Sequence, residues 1–165
     1  SSANDCACAM AEHIAGSVPA FAEMMNDKAE ALGANAHFVN PHGLDADGHG
    51  ISALGLALVM REAMKNETFR TITGTTRKVV PWVGNEYSRV MENKNKLLTT
   101  YEGATGGKTG YTPEAGQNII TLCKDKGRSY LVMTGNAYGN YYEFSKMHIR
   151  MSRQVFQLQD PILRL

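Results

Sequence analysis

Gly106-Gly107-Lys108-Thr109-Gly110-Tyr111-Thr112 is the segment on which the fold assignment of this chain depends. From Gly107 onward the sequence changes to a sheet pattern. Two β-branched, apolar runs follow at 118–123 and 129–134, and the polar connection 124–128 between them contains a glycine. Runs of this kind around a short connection predict a β-hairpin. We expect the Lys108 segment to form a third strand beside the hairpin, on a sheet edge that faces a cleft.

The residues before this region follow a helical pattern. Gly16 and Gly33 are placed to end the first two helices, because glycine readily adopts the left-handed conformation that closes a helix. Ser17 and Ser52 are favoured residues for starting the second and third helices. The expected elements are helices over 5–15, 17–32 and 52–64, a Gly-rich and Asp-rich loop over 38–50, and a final helix over 144–158 with Phe144, Met147, Met151, Val155 and Leu158 at helical spacing.

The middle of the chain has a weaker pattern. Residues 71–83 are β-branched enough to predict one or two short strands, whereas 85–95 are polar and are expected to be irregular. No internal repeat or linker divides the chain. Residues 1–165 are therefore expected to form a single compact domain or a large part of one.

Composition excludes several classes of function. Hydrophobic residues make up 43% and charged residues 20% of the chain, and the formal net charge is +1. No basic stripe of the kind that binds nucleic acid is present, so no nucleic-acid partner is expected. The sequence also contains no apolar run of about 18 residues that predicts a membrane span.

Cysteine and histidine residues give no recognisable metal site. Cys6 and Cys8 point about 200° apart on a helix, and the three cysteines are interpreted as small buried side chains. The histidines of the 38–50 loop and Asp45-Ala46-Asp47-Gly48 fit neither zinc nor calcium spacing. His42 and Asp45 are instead expected to make hydrogen bonds within the turn. No metal or cofactor is predicted.

Ser2-Ala3-Asn4 adds a second short motif. Alone it is typical of a helix N-cap. With Lys108-Thr109-Gly110, however, it supplies S-x-N and K-T-G, two motifs of the penicillin-recognising serine enzymes, in the order those enzymes have. Residues 38–45, Phe-Val-Asn-Pro-His-Gly-Leu-Asp, and residues 93–98, Asn-Lys-Asn-Lys-Leu-Leu, add context. Together these segments resemble the D-alanyl-D-alanine carboxypeptidases of the low-molecular-mass penicillin-binding proteins, peptidase family S11, from Ser2 to about Asn136.

The resemblance implies a mixed α/β chain of the α+β type with the β-lactamase/transpeptidase-like fold, an antiparallel sheet packed with helices. Residues 1–165 are expected to be a single partial domain, with 1–65 mainly helical and 107–158 forming the hairpin and the final helix. The third family motif, S-x-x-K, is absent from these residues. We expect it in an N-terminal complement upstream of Ser1, so this chain alone should leave a sheet edge and a helix-sized groove uncovered.

The resemblance also assigns catalytic roles. In acyl transfer, the serine of S-x-x-K attacks the carbonyl between two D-alanines after its lysine accepts the proton. Ser2 is expected to pass that proton toward the leaving amine, because a hydroxyl both donates and accepts. Asn4 is expected to hold the missing lysine and the substrate backbone. Lys108 is expected to keep a positive charge near Ser2 and near the terminal carboxylate.

Substrate binding is assigned to the K-T-G strand and one further lysine. The Thr109 hydroxyl is expected to meet the terminal carboxylate, Gly110 to let the substrate backbone approach, and the Tyr111 N–H to act as an oxyanion-hole donor. Thr112 and Lys94 are expected to add carboxylate contacts. Relatives often carry an arginine near the position of Lys94, whereas a lysine gives a point charge without a bidentate fork.

The resemblance implies a serine-type carboxypeptidase that trims peptidoglycan stem peptides ending in D-Ala-D-Ala, is inhibited by β-lactams and acts outside the cytoplasmic membrane. The isolated chain is predicted to be inactive because it has no nucleophile. One alternative is a non-catalytic module that binds peptidoglycan or penicillin. A second is a serine β-lactamase, for which Glu62 and Asn66 give the E-x-x-x-N spacing of an omega loop; Glu62, however, lies in a predicted amphipathic helix.

Overall fold

The computed structural model describes residues 2–137 and 139–158 and combines helices with antiparallel strands. The helices are α1 (Asn4–Ala15), α2 (Val18–Ala31), α3 (Ala53–Ala63), α4 (Glu67–Gly74), α5 (Leu97–Thr100) and α6 (Tyr141–Leu158). The strands are β1 (Ala36–His37), β2 (Gly50–Ile51), β3 (Arg77–Pro81), β4 (Ser88–Glu92), β5 (Ala104–Thr112), β6 (Gly116–Asp125) and β7 (Arg128–Ala137).

The first three helices begin and end where the sequence predicts. Gly16, with a φ of 82°, closes α1 and donates its N–H to the Glu12 carbonyl. Ser17 and Ser52 cap α2 and α3, because each side chain accepts a hydrogen bond from the N–H three residues later. The predicted loop at 38–50 is confirmed, with the short pair β1–β2 joining its two ends.

The sheet has the order β5-β6-β7 with antiparallel pairing throughout. Lys126 and Gly127 form the tight turn between β6 and β7, with φ values of 47° and 76°. Two consecutive residues with positive φ are typical of a hairpin turn whose twist matches that of its strands. The predicted hairpin and the third strand carrying Lys108 are therefore confirmed.

The two faces of this sheet are covered differently. On one face, Leu97, Ile119, Cys123, Val132 and Ile149 form a buried cluster between the sheet, α5 and α6. On the other, α3 and the sheet border a groove of about 740 Å³ with a mainly apolar lining that includes Leu54, Leu58, Leu122 and Leu131, with Arg61, Arg70 and Lys124 among its polar residues. Within the described residues, β7 has no partner on its outer edge. An open edge and an apolar groove are the features expected of this fold when it is incomplete.

The predictions for the middle of the chain are partly wrong. Strand β3 lies within 71–83 and confirms a short strand there, but residues 71–74 are the end of helix α4, which Asn66 caps by accepting the Phe69 N–H. The β-branched threonines are tolerated there because Thr73 Oγ1 donates to the Phe69 carbonyl, one turn back. The stretch 85–95, predicted to be irregular, contains strand β4, whose polar side chains face solvent in a hairpin with β3.

The final helix is confirmed as α6, although it begins at Tyr141, three residues earlier than predicted. The side chains of Met151, Val155 and Leu158 lie outside the described residues. Among the described residues, no helix is both long and apolar enough to cross a bilayer.

The cysteines differ in burial. Cys123 is fully buried, as predicted, but Cys6 is exposed and Cys8 is half-buried, and no disulfide joins any two of the three. The prediction of small buried side chains is wrong for Cys6 because α1 packs mainly against α2 and leaves the rest of its surface in solvent.

Candidate active site

A cleft of about 450 Å³ lies where α1 begins beside the outer edge of β5. All eight residues singled out from the sequence line it, although they come from three distant parts of the chain. The loop at 40–45 and Gln117 of β6 form the rest of the wall. The lining residues are Ser2, Asn4, His42, Gly43, Leu44, Lys94, Lys108, Thr109, Gly110, Tyr111, Thr112 and Gln117.

Ser2 and Lys108 are in direct contact although 106 positions separate them in sequence. Lys108 Nζ donates to Ser2 Oγ at 2.6 Å and to the Thr109 carbonyl at 2.5 Å. The N-cap of α1 is Ala3, and no side chain makes a cap hydrogen bond there. The interpretation of Ser2-Ala3-Asn4 as an ordinary helix cap is therefore wrong, and the Ser2 hydroxyl is directed at the K-T-G strand.

The Lys108 ammonium is in an environment that disfavours its charge. Partial burial lowers its pKa from the ordinary value, and the positive charge of Lys94 lowers it further. Although the side chain as a whole is exposed, its charged end turns back toward Ser2 and the strand backbone. Because Lys94 and Lys108 share one cleft, the cleft stabilises a bound anion. A bound anion in turn favours the protonated form of the lysines.

The K-T-G strand combines a fixed side with an open side. Gly107, at a φ of 138°, lies so close to β6 that a Cβ there would stand 2.1 Å from the Ile120 carbonyl oxygen. By contrast, a Cβ on Gly110 would meet no atom within 4 Å. In the described part of the chain, β5 pairs only with β6, so the backbone of its other edge is available to a ligand. An extended peptide can bind such an edge as an added strand.

Two asparagines beside Lys94 position this lysine, and the sequence interpretation gave them no role. The Asn95 N–H donates to Asn93 Oδ1 at 3.0 Å, and Asn95 Oδ1 accepts the Leu97 N–H at 3.1 Å. The Tyr142 hydroxyl donates to the Lys94 carbonyl at 2.6 Å. The Asn-Lys-Asn spacing was the available signal, since asparagine side chains commonly satisfy local backbone groups.

The loop at 40–45 is attached to the end of β5 by a side-chain hydrogen bond. Thr112 Oγ1 donates to Asp45 Oδ1 at 2.8 Å and accepts the Ala115 N–H at 3.0 Å. Asn40, which is buried, binds the backbone of Gly43 and Leu44 from within the loop. The Thr112 hydroxyl, predicted to contact substrate, is thus already engaged. The predicted turn hydrogen bond of His42 is confirmed, because its Nδ1 accepts the Leu44 N–H, whereas Asp45, also predicted to bond within the turn, accepts from Thr112 of β5.

The histidines of this loop do not assemble a metal site. No group of three His, Cys, Asp or Glu side chains suited to a metal ion occurs among the residues that the structure describes. His49 is instead used structurally, since its Nδ1 accepts the Val39 N–H at 3.1 Å. Burial lowers the pKa of His49, and the neighbouring His42 and His37 lower it further.

The two residues of the omega-loop alternative lie elsewhere. Glu62 belongs to helix α3, as the sequence predicts, and its carboxylate accepts from Lys65 Nζ at 2.6 Å. Asn66 caps the following helix. Neither residue lines the cleft that contains Ser2 and Lys108.

Comparison with known proteins finds similarity to D-alanyl-D-alanine carboxypeptidases. The sequence profile described as D-alanyl-D-alanine carboxypeptidase matches residues 1–137. The chain is 40% identical over 127 residues to the D-alanyl-D-alanine carboxypeptidase DacF of Bacillus subtilis, a match that covers 76% of this chain and 32% of the relative.

Solved structures agree with the sequence match. Penicillin-binding protein 6B from Escherichia coli superposes with a TM-score of 0.79 at 32% identity, over 92% of this chain and 47% of that protein. Penicillin-binding protein D2 from Listeria monocytogenes, in its cefotaxime-bound form, gives 0.74 at 26% identity, over 92% and 60%. The chain thus spans between about a third and three fifths of these relatives' lengths.

These structures confirm the transpeptidase-like fold predicted from the two motifs. The profile match ends at residue 137, close to the Asn136 at which the motif-based resemblance was expected to end. The chain belongs to the D-alanyl-D-alanine carboxypeptidase family, peptidase family S11.

Proposed function

We propose that this chain supplies the S-x-N and K-T-G side of a serine-type carboxypeptidase that removes the terminal D-alanine from peptidoglycan stem peptides. The hydrogen bond from Lys108 Nζ to Ser2 Oγ, 2.6 Å long, is the observation that carries the proposal. It joins two motifs that lie 106 positions apart, and a purely structural role for either motif does not require this contact. It also puts a hydroxyl and an ammonium where a proton can be relayed.

The catalytic roles follow from the chemistry of acyl transfer. Ser2 relays a proton between the S-x-x-K lysine and the leaving amine, and Lys108 stabilises the negative charge that develops nearby. Asn4, in the first turn of α1, holds that lysine and the substrate backbone. The nucleophile itself comes from the S-x-x-K segment, so the 165 residues alone bind substrate without turning it over.

The substrate lies along β5. Its backbone runs beside Gly110, where space is open, while Lys94, Lys108 and the Thr109 hydroxyl contact the terminal carboxylate. The Tyr111 N–H is an oxyanion donor, a group whose removal typically lowers transition-state stabilisation by about 3 kcal/mol. Thr112 contributes through its hydrogen bond to Asp45, which keeps the opposite wall of the cleft in place.

The S-x-x-K segment occupies the uncovered part of the fold. An apolar groove of about 740 Å³ beside α3 and the open edge of β7 offer a helix site and a strand site. Residues 1–165 then form one partial domain, in which 1–65 are mainly helical and 107–158 supply the hairpin and final helix. With the complement bound, the assembly acts on the cell-wall side of the cytoplasmic membrane.

β-Lactams are expected inhibitors, because they present a carboxylate beside an acylating carbonyl to the same lysines. The cefotaxime-bound structure of the Listeria relative supports this expectation. A non-catalytic peptidoglycan-binding module is the second candidate function, and the family match supports it less well than the carboxypeptidase.

Binding by the chain as it stands tests the substrate assignment. Amide shifts are measured by NMR during titration with N-acetylated L-Lys-D-Ala-D-Ala and with the same peptide as its C-terminal amide. We expect shifts at Lys108, Thr109 and Tyr111 with the acid, and at least tenfold weaker binding of the amide. Lys108→Met should weaken binding of the acid, whereas Glu62→Gln, which lies outside the cleft, is the matched control and should not. Equal binding of acid and amide, or shifts confined to other residues, contradicts the proposal.

Turnover separates the two candidate functions. A chimera is made in which this chain replaces the matching region of Bacillus subtilis DacF. Release of D-alanine measures its activity, and circular dichroism shows whether it is folded. A folded chimera that releases D-alanine, and that loses activity with Ser2→Ala, supports the carboxypeptidase. A folded chimera that binds the peptide but releases nothing identifies the binding module instead.

A further inference from the structure

The β3–β4 hairpin projects from the domain close to the cleft. Within the described residues, its two strands pair only with each other. Asn93 fixes its base, because Asn93 Nδ2 donates to the carbonyls of Thr73 and Thr75 at 3.0 and 3.1 Å, and the Asn93 N–H donates to the Thr76 carbonyl at 2.8 Å. The next residue is Lys94, which lines the cleft. The hairpin is therefore firmly attached at the active-site end.

The tip of this hairpin presents apolar and aromatic side chains in an ordered turn. The Asn85 N–H donates to the Trp82 carbonyl at 2.9 Å, and Gly84 has a φ of 78°. The Val83 side chain is 94% exposed, Tyr87 72% and Trp82 45%. The Arg89 guanidinium lies 3.9 Å from the centre of the Trp82 ring and fixes the indole. Arg89 thus covers one face of the indole, and the exposed area of Trp82 lies on the rest of its surface.

The polar and charged surroundings favour a sugar polymer over a lipid surface. The negative face of an aromatic ring attracts the C–H groups of a pyranose ring, and nearby hydrogen-bonding groups bind its hydroxyls. Such groups follow the turn at Asn85, Glu86 and Ser88. Residues 77–92 carry three cations and two carboxylates, a net charge of +1. Sequences that bind anionic lipid typically cluster about four to eight cations.

The length of the hairpin strand is comparable with the length of the proposed substrate. Strand β4 has five residues, which span about 17 Å at strand rise, and it ends two residues before Lys94. A stem peptide of about five residues also spans about 17 Å when extended. A peptide whose D-Ala-D-Ala end occupies the cleft and which runs alongside the hairpin brings the sugar chain at its other end within reach of the tip.

We propose that Trp82, Val83 and Tyr87 form a secondary binding site for the glycan strand, a β-1,4-linked polymer of N-acetylated hexosamines. This inference rests on the proposed function, because that function places the attached peptide in the cleft. The site binds the polymer weakly by itself. Its main effect is to favour stem peptides that remain attached to glycan over free peptides.

Trp82 is the only tryptophan of the chain, so tryptophan fluorescence, excited selectively over that of the tyrosines, reports on this site alone. The first probe is the β-1,4-linked tetramer of N-acetylglucosamine, titrated into the full 165-residue chain. We expect a saturable blue shift of Trp82 emission, with affinity about tenfold lower in Tyr87→Ser, a factor that corresponds to roughly 1.4 kcal/mol. Val79→Thr, in β3 away from the tip, is the matched control and is expected to bind as the unaltered chain does.

Two further arms decide the identity of the ligand. If vesicles of phosphatidylglycerol and phosphatidylethanolamine shift Trp82 emission and the tetramer leaves it unchanged, the tip is a membrane contact and the proposal is overturned. Emission that responds to neither probe also overturns it. Peptide binding is followed separately through the Lys108 and Thr109 amides, so loss of the proposed function and loss of the glycan site are distinguishable.

Discussion

The hydrogen bond between Thr112 and Asp45 is predicted to be an energetic link between the K-T-G strand and the opposite wall of the cleft. Thr112 is 8% exposed, and its hydroxyl both donates to Asp45 and accepts from Ala115. Thr112→Val removes both hydrogen bonds, whereas Asp45→Ala removes one. Hydrogen bonds to charged groups contribute about 1.5–3 kcal/mol and neutral ones about 1.

The exposure of Asp45 sets the expected size of each effect. Because its carboxylate can be rehydrated, we expect Asp45→Ala to lower the free energy of unfolding by about 1.5 kcal/mol, the lower end of that range. Thr112→Val should lower it by about 2.5 kcal/mol, since the Ala115 N–H also loses its acceptor. The double variant should fall short of the sum by about 1.5 kcal/mol, the energy of the shared bond. Thr112→Ser keeps both bonds and is the control.

Urea unfolding of the four variants measures these differences, and the peptide titration measures their effect on the cleft. We expect Asp45→Ala to weaken peptide binding, because the loop that carries His42 and Leu44 loses its attachment to β5. Additivity of the two substitutions within about 0.3 kcal/mol would refute the link. Unchanged peptide affinity in a folded Asp45→Ala variant would refute its positioning role.

Three other outcomes follow from the cleft and the strand beneath it. Lys94→Ala should raise the pKa of Lys108 by removing a neighbouring positive charge, as carbon-13 NMR titration of the lysine side chain will show. Because folding lowers the pKa of Lys108, its charge destabilises the native state fully below the folded pKa, and this penalty disappears as the pH rises toward the ordinary value. The stability of Lys108→Met relative to the unaltered chain should therefore fall as the pH becomes alkaline. Gly107→Ala should destabilise the fold by about 3 kcal/mol or more in urea unfolding, whereas Gly110→Ala, with open space around it, should leave the unfolding midpoint nearly unchanged.

Local signals in the sequence predicted much of the fold. Gly16, Ser17 and Ser52 end or begin helices through backbone preferences and capping hydrogen bonds that depend on near neighbours. The β6–β7 hairpin was predictable for the same reason, since its turn and apolar runs are contiguous. Strand β4 and helix α4 were mispredicted because pairing with β3 and capping by Asn66 override the weak preferences of polar and β-branched residues.

The site was accessible from sequence only through motif order. The pairing of Ser2 with Lys108 spans almost the whole chain, and no periodicity predicts it. The motifs indicated which residues to expect in the cleft, and the structure brings them to one cleft. The contact between Asp45 and Thr112 had no such signal, because its two partners belong to segments that meet only in the folded sheet.

Ser2 and Lys108 are proposed to serve a nucleophile carried by the S-x-x-K segment. The decisive measurement is the intact mass of the DacF chimera before and after incubation with a penicillin, followed by peptide mapping. We expect one penicilloyl adduct on the S-x-x-K serine, formed more slowly in Ser2→Ala and Lys108→Met, with residues 1–165 unmodified. An adduct on Ser2, or acylation at an unchanged rate in both variants, would show that Ser2 and Lys108 do not have these roles.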